Sequence, residues 1–326
     1  MIAIVCRQFG LPDKLVLEHV PSPHAGPGQI VVEVKAVGVN FPDVLMVQGK
    51  HHRIPALPFT PGLEIAGYVK EVGTGVTVYR RGDRVCADVR HGGCAEEVAV
   101  RADYTVARVP DGVDFTTAAA FGKTYGTSLH MLKNRAKLKP GETVLVLGAG
   151  VGIGLATVQL AKLMGAQVIA CASTTQKLEI CRRHGADETI DYETEDLREA
   201  VKRLTGGKGV NVVCDPVGGK YAEPALRGMA WRGRYCVVGF ASGSIPSIEL
   251  NLVLLKGCSI VGVVRGGDAR RGDPFEYCED VRQILDWIAS GKLEPVVTAT
   301  YPLARTADAL TRVMQRSVLG KAVIVM

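Results

Sequence analysis

The pattern of hydrophobic positions changes about a third of the way along the chain. Up to residue 122 the apolar residues form short runs, and in the run at 30–39 valines alternate in part with charged residues. Proline and glycine interrupt these runs often, which favours short strands and turns over long helices. The pattern predicts a small, mostly β domain over residues 1–122.

Beyond residue 124 buried strands alternate with helices. The apolar run at 143–147 is typical of a strand that is buried on both faces of a parallel sheet, and a helix is predicted to follow it at 152–164. The other predicted elements are strands at 167–172, 188–191, 211–214 and 234–238, and helices at 127–134, 176–184, 197–204 and 221–229. This alternation predicts an α/β fold with a doubly wound parallel sheet over residues 123–262.

Four glycines lie in the seven residues 148–154, directly between the first predicted strand of this sheet and its helix. The strict spacing of the dinucleotide fingerprint is absent, because Ile153 and Leu155 stand where a third glycine would be needed. The strand–turn–helix context nevertheless favours a cradle in which backbone amides and the helix dipole bind a diphosphate. The alternative is a glycine turn needed only for close strand–helix packing.

The end of the second strand bears on the choice of dinucleotide. An NAD site usually has an acidic residue there for the ribose hydroxyls, but this strand ends in Cys171, Ala172, Ser173 and Thr174. Lys177 follows, and hydroxyls with a nearby ammonium suit a 2′-phosphate. The sequence therefore favours NADPH over NADH, with a solvated Lys177 as the alternative.

Composition narrows the class of protein. The net charge is +6 without runs of basic residues, which suits anionic small molecules and disfavours nucleic-acid binding. The chain lacks a long apolar segment and a secretory leader, so we expect a cytoplasmic protein that does not bind membranes. Nine cysteines without a C-x-x-C pair are typical of reduced core thiols.

Motifs along nearly the whole chain resemble those of one family. They are GVNFPD (38–43), LPFTPGLEIAG (57–67), GDRV (82–85), LKPGETVLV (138–146), GAD (185–187), DPVGG (215–219), VGFASG (238–243) and GKA (320–322). Together they resemble the zeta-crystallin-like quinone oxidoreductase branch of the medium-chain dehydrogenase/reductase superfamily. The resemblance implies a GroES-like catalytic domain formed by residues 1–122 and 263–326, an inserted Rossmann domain at 123–262, and a homodimer paired through the Rossmann domains.

The resemblance also implies site residues. Asn40 and Asp43 match the motif that lines the active-site cleft near the nicotinamide, and Tyr125 and Thr127 lie where the chain enters the cofactor domain. The other positions that match cofactor-binding segments are Gly150, Val151, Gly152, Ile153, Ser173, Lys177, Tyr192, Phe240, Ala241, Ser242, Val263, Val264, Arg265 and Arg316. The chain departs from the family at Val151, where glycine is common, and at His51, which takes the place of a common tyrosine.

Zinc-dependent relatives have a cysteine near the position of Phe41 and a histidine at the position of Leu63, and neither ligand is present here. Without a Lewis acid the acceptor should need little activation, which favours a quinone or an enone. We expect Asn40 or a nearby hydroxyl to stabilise the oxyanion, and water, Tyr125 or His51 to supply the proton. Asp43 is equally compatible with a role in capping a helix.

Two other functions fit the sequence. The chain could reduce α,β-unsaturated aldehydes, ketones or enoyl thioesters with the same cofactor. It could also be an NADPH-binding structural or RNA-interacting protein with little activity, although basic patches with interleaved aromatic residues are absent.

Overall fold

The computed structural model of the chain describes residues 1–103, 105–265 and 274–326. These residues form two compact units, one of 1–123 with 274–326 and one of 124–265. The strands are β1 (Ile2–Val5), β2 (Val16–His19), β3 (Gln29–Gly38), β4 (Glu64–Val72), β5 (Arg84–Asp88), β6 (Glu97–Arg101), β7 (Val106–Arg108), β8 (Thr143–Val146), β9 (Gln167–Ala172), β10 (Glu188–Asp191), β11 (Val210–Asp215), β12 (Met229–Val237), β13 (Ser259–Gly262), β14 (Val297–Pro302) and β15 (Lys321–Val325). The helices are α1 (Phe41–Val47), α2 (Phe115–Ala118), α3 (Thr124–Leu129), α4 (Gly152–Leu163), α5 (Thr175–Arg183), α6 (Leu197–Leu204), α7 (Ala222–Arg227), α8 (Leu250–Lys256), α9 (Pro274–Ala289) and α10 (Thr306–Met314).

The first unit is built on a sheet in the order β14-β15-β3-β4-β5-β7, with β6 also paired to β3. Its longest strand, β3, places valines on the core side because side chains alternate between the two faces of a strand. The last strand of the chain, β15, pairs antiparallel with the end of β3, with Val323 opposite Gly38. The two ends of the sequence therefore meet in one sheet.

The second unit contains a parallel sheet in the order β10-β9-β8-β11-β12-β13. The strand order reverses between β8 and β11, and ligands of such sheets bind at this point, beyond the carboxyl ends of the strands. The apolar run predicted for β8 is fully buried, with Val144, Leu145 and Val146 all inaccessible to solvent. The fold places the glycine turn at the switch point.

Most elements predicted for the second unit lie within one or two residues of the observed ones, but several regions differ. Strand β12 begins at Met229, before its predicted start at 234, and helix α8 was not predicted. The helix predicted at 127–134 begins at Thr124, and its continuation His130–Arg135 has π-helical geometry. Helix α1 was not predicted, although Asn40 and Asp43 form the signature of a helix start. Residues 263–265 belong to the second unit, not to the C-terminal segment expected from 263 onward, because the amide of Val263 continues the sheet edge by bonding to Val237.

Among the described helices, none combines the length and apolarity needed to span a bilayer.

Candidate active site

The turn after β8 requires glycine for steric reasons. Gly148 and Gly152 have φ values of +61° and +44°, in the left-handed region that other residues avoid. A side chain at Gly154 would overlap the carbonyl oxygen of Gly148. The turn is therefore as tight as a cradle for a diphosphate needs to be.

The start of α4 is open to an anion. Its N-cap residue, Val151, has extended backbone geometry (φ −143°, ψ 148°) and no side-chain oxygen for the first-turn amides. By contrast, Thr174 caps α5 and Asp196 caps α6 with their own side chains. Since the first amides of a helix lack intrahelical acceptors, a bound phosphate would supply the missing cap at α4. The extended geometry also explains why valine is tolerated where the family commonly has glycine.

The turn between β9 and α5 packs directly on the glycine turn. A Cβ placed on Gly150 would lie 2.5 Å from the Cβ of Lys177, so the lysine stem covers the glycine backbone. Ser173 and Lys177 are half-buried there. Tyr192, at the end of β10, packs its ring on Tyr221 with centroids 4.2 Å apart. The structure thus brings the predicted adenosine-side residues to the carboxyl ends of neighbouring strands.

A buried carboxylate that we did not predict as a site residue shapes the next loop. Asp215, at the end of β11, accepts hydrogen bonds from the amides of Val217 and Gly218 at 2.8 and 2.7 Å and from the Tyr235 hydroxyl at 2.5 Å. Val217 in turn packs against Gly148, 2.8 Å from the position a Cβ would take there. Asp215 and Tyr235 therefore hold the loop that backs the glycine turn. The sequence feature that could have identified Asp215 is an acidic residue at the end of an otherwise apolar strand.

The remaining predicted cofactor residues of this unit lie on the same edge of the sheet. Ala241 and Ser242 donate backbone hydrogen bonds to the 216–217 loop, and Phe240 is 39% exposed beside it. Val263 is buried, Val264 is exposed, and the buried guanidinium of Arg265 packs over Gly126 of α3.

Helix α3 lies against the start of α4. Ser128 donates to the carbonyl of Ile153 at 3.1 Å, and Thr157 donates to the same carbonyl at 2.8 Å. Tyr125 is only 2% exposed, and its hydroxyl accepts a hydrogen bond from Gln159 of α4 at 3.0 Å. This burial disfavours the expected role of Tyr125 as a proton donor, because its hydroxyl serves the packing of the two helices. Thr127 is half-buried on the same helix.

In the first unit the structure corrects the expected role of Asn40. Its amide nitrogen donates to the carbonyl of Gly38 at 3.1 Å and to Glu64 at 2.8 Å, which uses both hydrogens. Its amide oxygen accepts from Lys321 at 2.8 Å. Asn40 is buried and its donors are saturated by the protein, so it cannot supply the hydrogen bond that we expected for a substrate oxyanion.

Lys321 and Glu64 form a buried ion pair at the centre of this cluster. Their side chains are 5% and 3% exposed, and the ammonium lies 2.7 Å from a Glu64 oxygen. The same ammonium donates to the carbonyl of Val39 at 3.1 Å and to Asn40, so all three of its hydrogens have acceptors. The cluster joins β15 to the ends of β3 and β4.

The carboxylate of Asp43 is bound to the protein backbone. Its carboxylate accepts from the amide of Asn40 at 2.9 Å, which closes the start of α1, and from the amide of Gly62 at 3.2 Å. Burial raises its pKa from 3.8 to about 7, against the opposing effects of the Asn40 hydrogen bond and the Lys321 charge. Of the two roles left open for Asp43, the geometry favours the helix cap.

Two predicted residues lie away from these clusters in the described structure. His51 follows α1, shares its Nδ1 with the backbone of Arg53 and packs on the ring of His52. Burial, and then the charge of Lys123, lowers its pKa. Arg316 is exposed after α10 in a left-handed conformation, within the first unit. Its assignment to the adenosine end stays a prediction.

The side chains at the zinc-ligand positions do not fit zinc. Phe41 and Leu63 have hydrocarbon side chains, and the ammonium of Lys321 already pairs with the carboxylate of Glu64. Among the described residues no three His, Cys, Asp or Glu side chains converge in a way that could hold a metal ion.

A β-rich unit formed from both ends of the chain, joined to a parallel sheet with a dinucleotide turn, defines an oxidoreductase of the medium-chain dehydrogenase type. Residues 26–124 match the alcohol dehydrogenase GroES-like domain, and residues 152–290 match the zinc-binding dehydrogenase family. The quinone oxidoreductase-like protein 2 homolog of Nematostella vectensis is 40% identical over 99% of this chain and 88% of its own. The chain therefore belongs to the quinone oxidoreductase family of the medium-chain dehydrogenase/reductase superfamily, and the predicted fold is confirmed.

Solved structures agree with this assignment. Escherichia coli quinone oxidoreductase complexed with NADPH superposes with a TM-score of 0.93 at 30% identity, and each chain is covered completely. A protein described as an NAD-dependent alcohol dehydrogenase superposes with a TM-score of 0.91 at 31% identity, again over both whole chains. The fold alone therefore does not select the nicotinamide cofactor or the substrate.

Proposed function

We propose that the chain reduces small quinones by hydride transfer from NADPH, without a catalytic zinc ion. The observation that carries the cofactor assignment is the uncapped glycine turn with the stem of Lys177 against Gly150. The turn fits a diphosphate, and Ser173 with Lys177 fits a 2′-phosphate better than two free ribose hydroxyls. The NADPH complex of the Escherichia coli relative supports this choice.

The donor set of the first unit supports a reaction without zinc. The carboxylate that could take part in a metal site, Glu64, is already paired with Lys321, and Phe41 and Leu63, at the positions of the zinc ligands of zinc-dependent relatives, offer neither a thiolate nor an imidazole. An acceptor that spreads negative charge by resonance needs less polarisation than a simple ketone or alcohol. Quinones meet this requirement, and relatives across the family carry the name quinone oxidoreductase.

NADPH, when bound, supplies the hydride. The chain's own contributions are to fix the diphosphate at the amides of 150–153, to place the 2′-phosphate beside Lys177, and to hold the loops after β11 and β12 against the turn through Asp215. Each of these orients the cofactor before reaction, which lowers the entropic part of the barrier.

The test compares acceptors and cofactors side by side. Purified protein is assayed for NADPH and NADH oxidation with a benzoquinone and with a long-chain enone, corrected for the reaction without protein. We expect quinone turnover, a kcat/KM for NADPH at least about tenfold above that for NADH, and no effect of a chelator. Reduction of the enone alone would refute the quinone assignment, and loss of activity on chelation with recovery on adding zinc would refute the metal-free reaction.

Two variants sharpen the cofactor test. Lys177→Ala should raise KM for NADPH about tenfold while leaving KM for NADH within twofold, because only NADPH carries the 2′-phosphate. Lys162→Ala, which removes an exposed lysine paired with Asp187 in the same unit, is the control and should change neither. Equal effects of Lys177→Ala on both cofactors would contradict the assignment.

We also propose that two copies of the chain pair across β13. This strand is an edge of the parallel sheet, and its sequence, SIVG, carries no charge, whereas the opposite edge strand β10 carries Glu188 and Asp191. Edges without such charges favour pairing with another strand. The adjacent helix α8 exposes Leu250 and Leu254 at 78% each. A two-fold pairing of β13 strands would bury this apolar surface on both copies.

Light scattering tests the pairing. The wild-type protein should have twice the chain mass, and Ile260→Lys, which places a charge on the edge strand, should lower it to one chain. The control is Leu11→Lys, at an exposed position of the first unit. A monomeric wild type would refute the proposal.

A further inference from the structure

Two buried hydroxyl groups meet one carbonyl oxygen of the cofactor turn. Ser128 of α3 and Thr157 of α4 are both inaccessible to solvent. Their oxygens lie 3.1 and 2.8 Å from the carbonyl oxygen of Ile153, and 2.9 Å from each other. All three residues belong to the second unit. The two hydroxyls therefore form a small hydrogen-bonded group at the turn that we propose for the diphosphate.

The carbonyl of Ile153 has a hydroxyl donor in either arrangement of the hydrogens. Each hydroxyl has one hydrogen to donate. In one arrangement Thr157 donates to Ser128, which donates to the carbonyl, and in the other both hydroxyls donate to the carbonyl. Buried polar groups are almost always hydrogen-bonded in folded proteins, because an unpaired one is costly. The carbonyl is therefore anchored as long as the unit is folded.

This carbonyl belongs to the part of the turn that has the weakest local restraint. Ile153 stands between Gly152 and Gly154, and Gly152 has a φ of +44°. Glycine has more conformational freedom than any other residue, so a residue flanked by two glycines receives little restraint from its neighbours in the chain. Val151, which precedes them, provides no side-chain cap. The restraint must come from another part of the unit.

Helix α3 supplies this restraint. The methyl group of Thr124 lies 3.8 Å from the position that a Cβ would take on Gly152, so it limits the glycine on that side. One helical turn later, Ser128 bonds to the carbonyl of Ile153. The hydroxyl of Tyr125 also accepts a hydrogen bond from α4. Helix α3 therefore contacts both the start and the second turn of α4.

The anchored carbonyl bears on the amides that would bind an anion. The first amides of a helix lack an intrahelical acceptor, and in α4 these include the amides of Gly152 and Ile153. The amide of Gly154 is already bonded to the carbonyl of Val151 at 2.9 Å. Fixing the carbonyl of Ile153 fixes the backbone that carries the two available amides. Donors that are in place before binding lose less conformational entropy on binding.

We propose that Ser128 and Thr157 are positioning residues for the nicotinamide cofactor. Their hydroxyls hold the carbonyl of Ile153, and through it they direct the amides of Gly152 and Ile153 at the cofactor diphosphate. The proposal rests on the cofactor site of the proposed function. It concerns binding within the second unit, so it does not depend on which acceptor is reduced.

Calorimetric titration with two ligands separates positioning from a general loss of structure. The ligand 2′-phospho-ADP-ribose carries the diphosphate, and 2′-AMP carries the adenosine end without it. Ser128→Ala combined with Thr157→Val should raise the Kd for the first ligand about tenfold and leave the Kd for the second within about twofold. The Kd for NADPH should rise like that of the first ligand, while kcat at saturating NADPH should not change.

Two single variants serve as controls. Thr157→Ser keeps the hydroxyl and should retain wild-type affinity for both ligands. Thr311→Val is the matched control, because the Thr311 hydroxyl also donates to the carbonyl four residues earlier, at 2.8 Å, but in α10 of the first unit. It should change neither Kd. If the double variant does not fold by circular dichroism, Thr157→Val alone replaces it, with an expected rise of about threefold for the diphosphate ligand.

The outcomes distinguish this proposal from the proposed function. If the wild-type protein binds neither NADPH nor 2′-phospho-ADP-ribose, the proposed cofactor site fails and this inference fails with it. If the wild type binds both and the double variant keeps its affinity, only the positioning role is overturned. Equal weakening of 2′-AMP and 2′-phospho-ADP-ribose would also overturn it, because that result shows a general loss of structure. A loss confined to the diphosphate ligands supports it.

Discussion

Removing the charge of Lys321 should weaken the first unit severely. The change Lys321→Met leaves Glu64 as an unpaired carboxylate in the core and removes the donor to Asn40 and Val39. Breaking a buried pair in this way typically costs about 3–5 kcal/mol. The two remaining donors to Glu64, from Asn40 and from the amide of Lys123, offset part of the loss. We therefore expect the lower half of that range.

The two tryptophans allow the first unit to be followed by itself. Trp287 lies in α9 of the first unit, and Trp231 lies in the second. In a Trp231→Phe background, urea unfolding monitored by fluorescence reports on Trp287 alone. With an m-value of about 2 kcal/mol per molar urea, Lys321→Met should lower the midpoint by about 1.5–2 M.

Two further variants decide whether the unpaired buried charge of Glu64 causes the loss of stability in Lys321→Met. Glu64→Gln combined with Lys321→Met removes both charges and should recover about half of the loss, since a neutral amide is less costly to bury than a carboxylate. Lys70→Met breaks an exposed pair with Glu97 and should cost less than about 1 kcal/mol. If Lys321→Met costs no more than Lys70→Met, the reasoning from burial is refuted.

Two other predictions follow from buried carboxylates. Because the pKa of Asp43 rises to about 7 in the folded chain, its contribution to stability is full below pH about 4 and is lost as pH rises through 7. Asp43→Asn should remove this dependence in urea titrations between pH 4.5 and 7.5, and an unaltered dependence would contradict it. Tyr235→Phe removes a donor to Asp215 and should destabilise the second unit by about 1–3 kcal/mol and weaken NADPH binding measured by calorimetry. Tyr221→Phe, at an exposed hydroxyl, is its control, and equal effects of the two changes would count against the role given to Asp215.

Most of the fold could be predicted from the sequence, because the strands and helices of the second unit each have a clear pattern of apolar residues. Strands β9 and β10 and helix α6 occur over the residues predicted for them. Such runs are buried on both faces or amphipathic, so periodicity alone locates them. Helix α1 was missed because it is only seven residues long and its start, Asn-Phe-Pro-Asp, depends on a capping pattern and not on periodicity.

The candidate site could be predicted only in part. A glycine turn can be recognised in a sequence because its backbone geometry excludes other residues, and the turn at 148–154 was found in this way. A side chain's role depends on what else reaches it. Asn40 was expected to face a substrate because it matches a family motif that lines the active-site cleft, and that motif does not show which distant residues bind its amide. Its partners Glu64 and Lys321 lie 24 and 281 residues away, and they consume its hydrogen-bonding capacity.

The same kind of long-range pairing also fixes the chain at Lys123. The Lys321 ammonium and the Asn40 amide both donate to one oxygen of Glu64, and the second Glu64 oxygen accepts the hydrogen bond from the backbone amide of Lys123. The side chain that follows is then directed by Asp88, which is held in turn by Tyr277, 189 residues further along the chain. The position of Lys123 therefore depends on contacts with residues far away along the chain, which no local sequence pattern reveals.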